Sequence, residues 1–329
     1  MIDDYLFLFF ILIINIFIFS KIEYFTLKFA LVDNPDNFRK IHTKKVSLLG
    51  GPILFVNLFI YIIFNLVKNY DHSYLVLIII ITAIFLLNLF NDKKNIRPIF
   101  RLILAYLIFF CWVLLDDQML VRNLTFNFKN INIYLGQWGL LITPLFILIF
   151  FNALNLFDGV NLQSISYFFI FLYFLFLNGI NIMYLYPLIV FSLLFIFYNY
   201  KNKIFLGDSG ISIIAVILSY LTIKEYNNTD LLFCEEILFI MFFPGIDMLR
   251  LYFLRIFKKK NPFIADKNHL HHYYLKIIDN KFIFLIQFFF YITFIIQLYY
   301  LKWSINLILI FMIITYVMLI IYANYRKKI

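Results

Sequence analysis

Three histidines, His269, His271 and His272, fall within four positions, three residues after Asp266, in a chain otherwise rich in Phe, Ile, Leu and Tyr. Imidazoles ligate metals and donate hydrogen bonds to phosphate. Zinc fits poorly, because no cysteine is near and adjacent His271 and His272 are awkward ligands for one ion. With Lys258, Lys259 and Lys260 just upstream, the segment suits phosphate better. A plain surface loop is the bland alternative.

Asn152, Asn155 and Asp158 are spaced by three, which places them on neighbouring positions of one helix side. They stand at the end of an apolar run, where two amides and a carboxylate facing lipid would be costly; such residues line a cavity or a bundle interior. A polar cap ending at Gly159 explains Asp158 but not the stacked asparagines. Asp208 sits between Gly207 and Ser209 before another apolar run, and Asp92 ends a third, among Lys93, Lys94, Arg97 and Arg101. Each of these alone reads as a helix cap or a solvated charge. Together, carboxylate and amide oxygens suit Mg²⁺, with phosphates and water completing its shell. A carboxylate among cations, such as Asp92, is also placed to accept a proton or a metal. A fourth polar stretch carries Asp33, Pro35, Arg39, Lys40, His42 and then Gly50-Gly51. Its plain alternative is a basic segment on anionic lipid, followed by a helix-start break.

Apolar helices must position these groups. The chain has 329 residues, 64% of them hydrophobic and 14% charged, with a mean hydropathy of +0.92. That balance excludes an ordinary soluble globule, and runs of about twenty apolar residues are long enough to cross a bilayer. The expected fold class is an all-α, polytopic membrane bundle of eleven spans, near 4–20, 48–67, 73–90, 99–115, 138–153, 164–178, 182–199, 210–223, 231–250, 282–300 and 303–322. It reads as a single membrane-embedded domain over 1–329. The first run follows Asp3 and Asp4, not the basic residues of a signal peptide, so it is expected to be a retained helix starting outside. On that reading, 23 of the 28 Lys and Arg residues fall in segments 20–47, 91–101, 200–209, 250–281 and 323–329, leaving five elsewhere. This positive-inside asymmetry puts those segments and the C-terminus in the cytoplasm, with the polar blocks among them. Cys111 and Cys234 lie in or beside apolar runs and form no paired-cysteine motif.

Five blocks in order resemble the polyprenyl-phosphate N-acetylhexosamine-1-phosphate transferases of glycosyltransferase family 4, most closely the branch that initiates O-antigen, enterobacterial common antigen or teichoic acid synthesis. The first is Asp33-x-Pro35-x-x-x-Arg39-Lys40-x-His42 with Gly50-Gly51; the second is Asn91-Asp92, where the family carries paired aspartates. The third is Asn155-x-x-Asp158-Gly159-x-Asn161, and the fourth Phe205-Leu206-Gly207-Asp208-Ser209-Gly210. The fifth runs from Pro244 and Asp247 through Arg255 to Asp266-x-x-His269-Leu270-His271-His272. The chain departs from the family at Asn91 and after Asn161, where Leu162-Gln163 stands in place of the usual glycine.

The resemblance implies transfer of N-acetylhexosamine-1-phosphate from a UDP-sugar to undecaprenyl phosphate, releasing UMP. It implies Asn155 and Asp208 as ligands of Mg²⁺ (or Mn²⁺) and Asp92 and Asp158 as catalytic acids in the same pocket. Asp92 would assist the attacking lipid phosphate. Arg39, Lys40, His42, Asn152, Asn161, Arg255, Asp266, His269, His271 and His272 are the implied substrate-binding residues. UDP-N-acetylhexosamine, undecaprenyl phosphate and membrane lipids are the implied partners, with no nucleic acid and with a homodimer as the assembly. The implied place is the bacterial inner membrane, with the site on its cytoplasmic face. Restoring the family pair by Asn91→Asp is expected, on sequence alone, to be tolerated or to raise activity. The rival class, a transporter or channel, predicts polar groups near mid-span and an internal repeat. A CDP-alcohol phosphotransferase would need an Asp-Gly-x-x-Ala-Arg run, which the chain lacks.

Overall fold

The computed structural model describes residues 2–35, 44–68, 70–94, 96–180, 182, 185–229, 231–261, 268–275 and 278–326. The chain is predominantly helical. In chain order the elements are α1 (Ile2–Ser20), α2 (Ile22–Phe29), β1 (Val32–Asp33), β2 (Val46–Ser47), α3 (Gly50–Lys68), α4 (His72–Lys94) and α5 (Pro98–Leu115). There follow β3 (Asn123–Phe126), β4 (Ile131–Tyr134), α6 (Gly139–Phe157), α7 (Gln163–Leu177), α8 (Tyr186–Tyr200) and α9 (Gly207–Asn228). The chain closes with α10 (Cys234–Phe257), α11 (Leu270–Tyr274), α12 (Ile283–Ile295), which runs on as a π-helical turn through Tyr300, and α13 (Ile305–Arg326).

Among the described residues, eight helices are long and apolar enough to cross a membrane, and nine if α1 and α2, bent by 72° at their junction, count as one broken span. A helix lies at each of the eleven expected places, but α7 and α8 have only 15 residues each, short for a bilayer crossing. Large apolar side chains such as Phe9, Phe17, Ile310 and Met318 are exposed. Surface of that kind is stable against acyl chains and not against water.

The helices group into two compact units, Met1–Asp116 with Asn181–Val216, and Asp117–Ile180 with Ile217–Ile329. In the first, α3 packs on α4 and α8, α1 on α8, and α4 on α5. Stacked rings fill the contacts: Phe7 on Phe64 and Phe55 on Phe85, each pair with centroids 4.1 Å apart. Asn15 and Asn57, both fully buried, exchange amide hydrogen bonds of 2.6 and 3.0 Å between α1 and α3. Such a pair removes two side-chain amides from lipid and clips the helices at one register. These mid-helix amides are thereby committed to packing. Strands β1 and β2 pair antiparallel, Val32 opposite Ser47, and the Ser47 N–H and C=O then reach the backbone of Lys203 and Phe205 ahead of α9.

In the second unit α6 packs on α10, α7 on α12, and α13 on both α10 and α11. Pro244 lies inside α10 and lacks an N–H, so the carbonyl of Ile240, four residues earlier, has no helical partner. Tyr167 of α7 and Tyr291 of α12, both fully buried, donate to that carbonyl at 3.0 and 2.9 Å. The defect in one helix thus becomes the joint among three. The β3–β4 hairpin is fixed by buried Glu235 of α10, which accepts the N–H groups of Asn127 and Phe128 at 2.8 and 3.1 Å.

Candidate active site

The first unit gathers the second and fourth sequence blocks around the start of α9. Gly207 opens that helix at φ +68, a left-handed conformation that costs a side-chain-bearing residue about 1 kcal/mol or more. Its bare Cα also lets Asp92 approach, since a Cβ there would lie 2.9 Å from a carboxylate oxygen. From the last turn of α4, Asp92 accepts the N–H of Asp208 at 2.8 Å, the N–H of Ser209 at 3.1 Å and the Ser209 hydroxyl at 2.7 Å. A carboxylate from a distant helix therefore caps α9, satisfying donors that the first turn cannot pair and meeting the positive end of the helix dipole.

The preceding residue takes the other side of the cluster. Asn91 donates from Nδ2 to Asp208 Oδ2 at 2.5 Å and accepts the Ile96 N–H at 2.9 Å. Arg101, buried near the start of α5, donates Nη1 to the same Asp208 oxygen at 2.6 Å. Asp208 thus carries one amide and one guanidinium on one oxygen, while Asp92 faces its backbone. The first block reaches this place through its glycines: the N–H groups of Gly50 and Gly51 donate to the carbonyls of Phe205 and Leu206 at 3.1 and 3.0 Å. Arg39, Lys40 and His42 of that block lie outside the described residues, as does Asp266 of the fifth.

The second unit gathers the third and fifth blocks. Asp158 is the C-cap of α6, and the Ser164 hydroxyl donates to its Oδ1 at 2.5 Å. Asn155 stands one turn back and, like Asp158, is half-buried. Asn152 is buried and turned to α10, donating to the Tyr252 hydroxyl at 2.5 Å and toward Met248 Sδ at 3.3 Å. The stacked amides therefore divide their tasks: Asn152 holds two helices together and Asn155 lies nearer the helix end. Asn161 is buried in the turn to α7. Leu162, where the family carries glycine, adopts φ +63, so the glycine conformation persists without the glycine.

His269 and His271 are each 6% exposed and their rings stack 5.3 Å apart; His272 is half-buried, its ring centroid 4.3 Å from that of His271. The His271 ring lies so close to the Gly159 Cα that any Cβ at that position would overlap it. The third and fifth blocks are thus in contact. Arg255 is buried on α10 at 5% exposure. Asp247, buried on the same helix, accepts from Arg250 Nη2 at 2.7 Å, the Tyr316 hydroxyl at 2.9 Å and the Leu270 N–H at 3.0 Å.

Among the described residues no group of three His, Cys, Asp or Glu side chains is arranged to hold a metal ion. The side-chain oxygens of Asp208, in the first unit, and of Asn155, in the second, are each hard donors of the kind Mg²⁺ accepts. Sequence reading noted Arg101 and Ser209 only as neighbours and passed over Ser164, Tyr252 and Tyr316. Ser209 was findable as the residue beside Asp208. Tyr316 lies some seventy residues from Asp247 in an unbroken apolar helix, with no local signal.

Residues 74–225 match the model of glycosyl transferase family 4. Relatives called undecaprenyl-phosphate alpha-N-acetylglucosaminyl 1-phosphate transferase are similar over most of their length. The Salmonella typhi protein is 27% identical over 281 residues, 79% of this chain and 74% of its own. The Escherichia coli K12 protein is 24% identical over 278 residues, 79% and 74% of the two chains. The Thermotoga maritima protein is 27% identical over 268 residues, 79% and 78%.

Proposed function

We propose that this chain, carrying the glycosyl transferase family 4 match, transfers N-acetylglucosamine-1-phosphate or a close N-acetylhexosamine counterpart from its UDP-sugar to undecaprenyl phosphate. A phosphate oxygen of the lipid attacks the β-phosphorus of the donor. The bond from that phosphorus to the oxygen bridging to the α-phosphorus breaks, and UMP leaves. The product is a lipid-linked sugar pyrophosphate that begins a cell-surface polysaccharide.

The observation that carries this reading is the cluster at the head of α9. Asn91, Asp92 and Arg101 come from two helices to the start of a third, each engaging Asp208 at 2.5–2.8 Å. Phosphoryl transfer asks the protein for placement and charge neutralisation more than for covalent chemistry. An array whose acids and cation are already fixed supplies the placement without reorganisation. Asp208 and Asn155 are the residues proposed to hold Mg²⁺; when bound, the ion neutralises charge on the pyrophosphate. Asp92 is assigned to the attacking lipid phosphate and Asp158 to the reacting centre. His269, His271, His272, Asn161 and Arg255 are assigned to the donor, together with Arg39, Lys40, His42 and Asp266. The whole chain acts as one transferase domain in the bacterial inner membrane, with its chemistry on the cytoplasmic side.

The names and coverage of the relatives support the reaction class. Against the transporter alternative, Asp92, Asp158 and Asp208 stand at helix ends, and the buried mid-helix amides Asn15 and Asn57 bond to each other. The test is release of UMP and formation of sugar-pyrophosphoryl lipid by purified protein given undecaprenyl phosphate, Mg²⁺ and a panel of UDP-N-acetylhexosamines. UMP formation that stops on chelation and returns with Mg²⁺ is the expected result. No UMP with any donor of the panel refutes the proposal.

A further inference from the structure

The histidine segment is short, lies between polar stretches and has little helix of its own, since α11 spans only five residues. Isolated helices of that length do not hold themselves together. Yet two of its three imidazoles are buried. Something outside the segment must therefore fix it.

The fixing group is Asp247. Its Oδ2 accepts the Leu270 N–H at 3.0 Å, at the first residue of α11, and lies 4.0 Å from His269 Nδ1. Its Oδ1 accepts from Arg250 Nη2 and from the Tyr316 hydroxyl. Arg250 in turn donates to the Asn268 carbonyl at 2.5 Å, and its Nε donates to the Tyr316 hydroxyl at 2.6 Å. The guanidinium also lies 5.5 Å from the centre of the Tyr273 ring. The backbone on both sides of His269 is thus held, by its carbonyl at 268 and its N–H at 270. The clamp closes through a hydroxyl contributed by α13.

We propose that Asp247, Arg250 and Tyr316 are positioning residues that set the His269–His272 segment for donor binding. Through Tyr316 the last helix becomes part of the donor site without touching substrate. The donor role of the histidines rests on the function proposed above; the clamp does not. Removing the Tyr316 hydroxyl leaves the ring in place and takes from Asp247 and Arg250 one hydrogen bond each. Asp247→Asn removes the charge to which Arg250 and Tyr316 both donate.

The experiment uses full-length protein purified in detergent, with Tyr316→Phe and Asp247→Asn beside the wild type. Diethyl pyrocarbonate labelling is read residue by residue by peptide mass spectrometry, with exposed His72 on α4 as internal reference. The donor kinetics are measured in parallel. His271 labelling relative to His72 is expected to rise about tenfold in both variants, the size of one lost hydrogen bond to a charged group. Donor KM is expected to rise by a similar factor, with the loss falling on KM and not on kcat. Unchanged His271 labelling in both variants overturns the clamp. Raised labelling with unchanged donor KM overturns the positioning role. Raised labelling in a protein that releases no UMP from any UDP-N-acetylhexosamine keeps the clamp and refutes the proposed reaction instead.

Discussion

Asn91→Asp restores the paired aspartates of the resembled family, and the structure reverses the sign of its expected effect. The Asn91 amide donates to Asp208 Oδ2 at 2.5 Å, on the oxygen that Arg101 also holds at 2.6 Å. An aspartate at 91 has no proton to donate, so a hydrogen bond to a charged group, about 1.5–3 kcal/mol, is lost. The Asp208 side chain is 34% exposed, so a surface-like permittivity applies. Two carboxylates with charges about 4 Å apart then repel by about 4 kcal/mol before relaxation. Rotation of the new side chain and the Arg101 charge take back a good part of this. A net cost of about 3 kcal/mol, expressed at the chemical step, is about a hundredfold in rate. Asn91→Ala loses the bond without adding charge and is expected to cost about tenfold. The order of turnover, read as UMP release at saturating donor and fixed Mg²⁺, is therefore Asn above Ala above Asp, with the thermal midpoints in the same order. An Asn91→Asp protein as active as the wild type, or more active than Asn91→Ala, refutes the reasoning.

Asp92→Asn is expected to cut turnover at least about a hundredfold with donor affinity little changed, because it removes the acid of that block. It also lowers the thermal midpoint, because one of the α9 donors then faces an amide NH₂. Retained turnover with a lowered midpoint would make Asp92 a cap alone. Gly159→Ala drives a methyl group into the His271 ring and is expected to destabilise by about 1–3 kcal/mol, seen as a lower thermal midpoint and a raised donor KM. A midpoint equal to the wild type would mean that the third and fifth blocks are not packed together. Cysteines placed in the 261–272 loop are expected to react with impermeant reagents only from the cytoplasmic side, and one at Asn227 only from outside. The reverse pattern would put the proposed site on the wrong face of the membrane.

Local composition and charge order were enough to show a helical membrane protein. A helix lies at each expected place, and eight or nine of them are long enough to cross a bilayer among the described residues, because such a crossing requires long apolar segments with every backbone group paired internally. The polar blocks were legible for the same reason: in so apolar a chain an acid or amide beside a span is expensive and therefore conspicuous. Their types were enough to suggest phosphate and a hard metal. The partnerships were not legible. Asp92 and Asp208 each read as a local cap, whereas Asp92 caps a helix 116 positions away and presents the backbone of Asp208. Asn91 reads as a damaged aspartate pair and proves to be the donor that Asp208 needs. Leu162 reads as a lost glycine, yet its φ of +63 shows a backbone held by its surroundings, since a leucine on its own avoids that region. Tyr167 and Tyr291 are ordinary apolar-span residues until Pro244 leaves a carbonyl for them to bond. Hydrophobicity and helix pairing act over a few residues and are written along the chain. Which acid meets which donor depends on how helices hundreds of atoms apart in sequence are packed, and only the tertiary structure decides that.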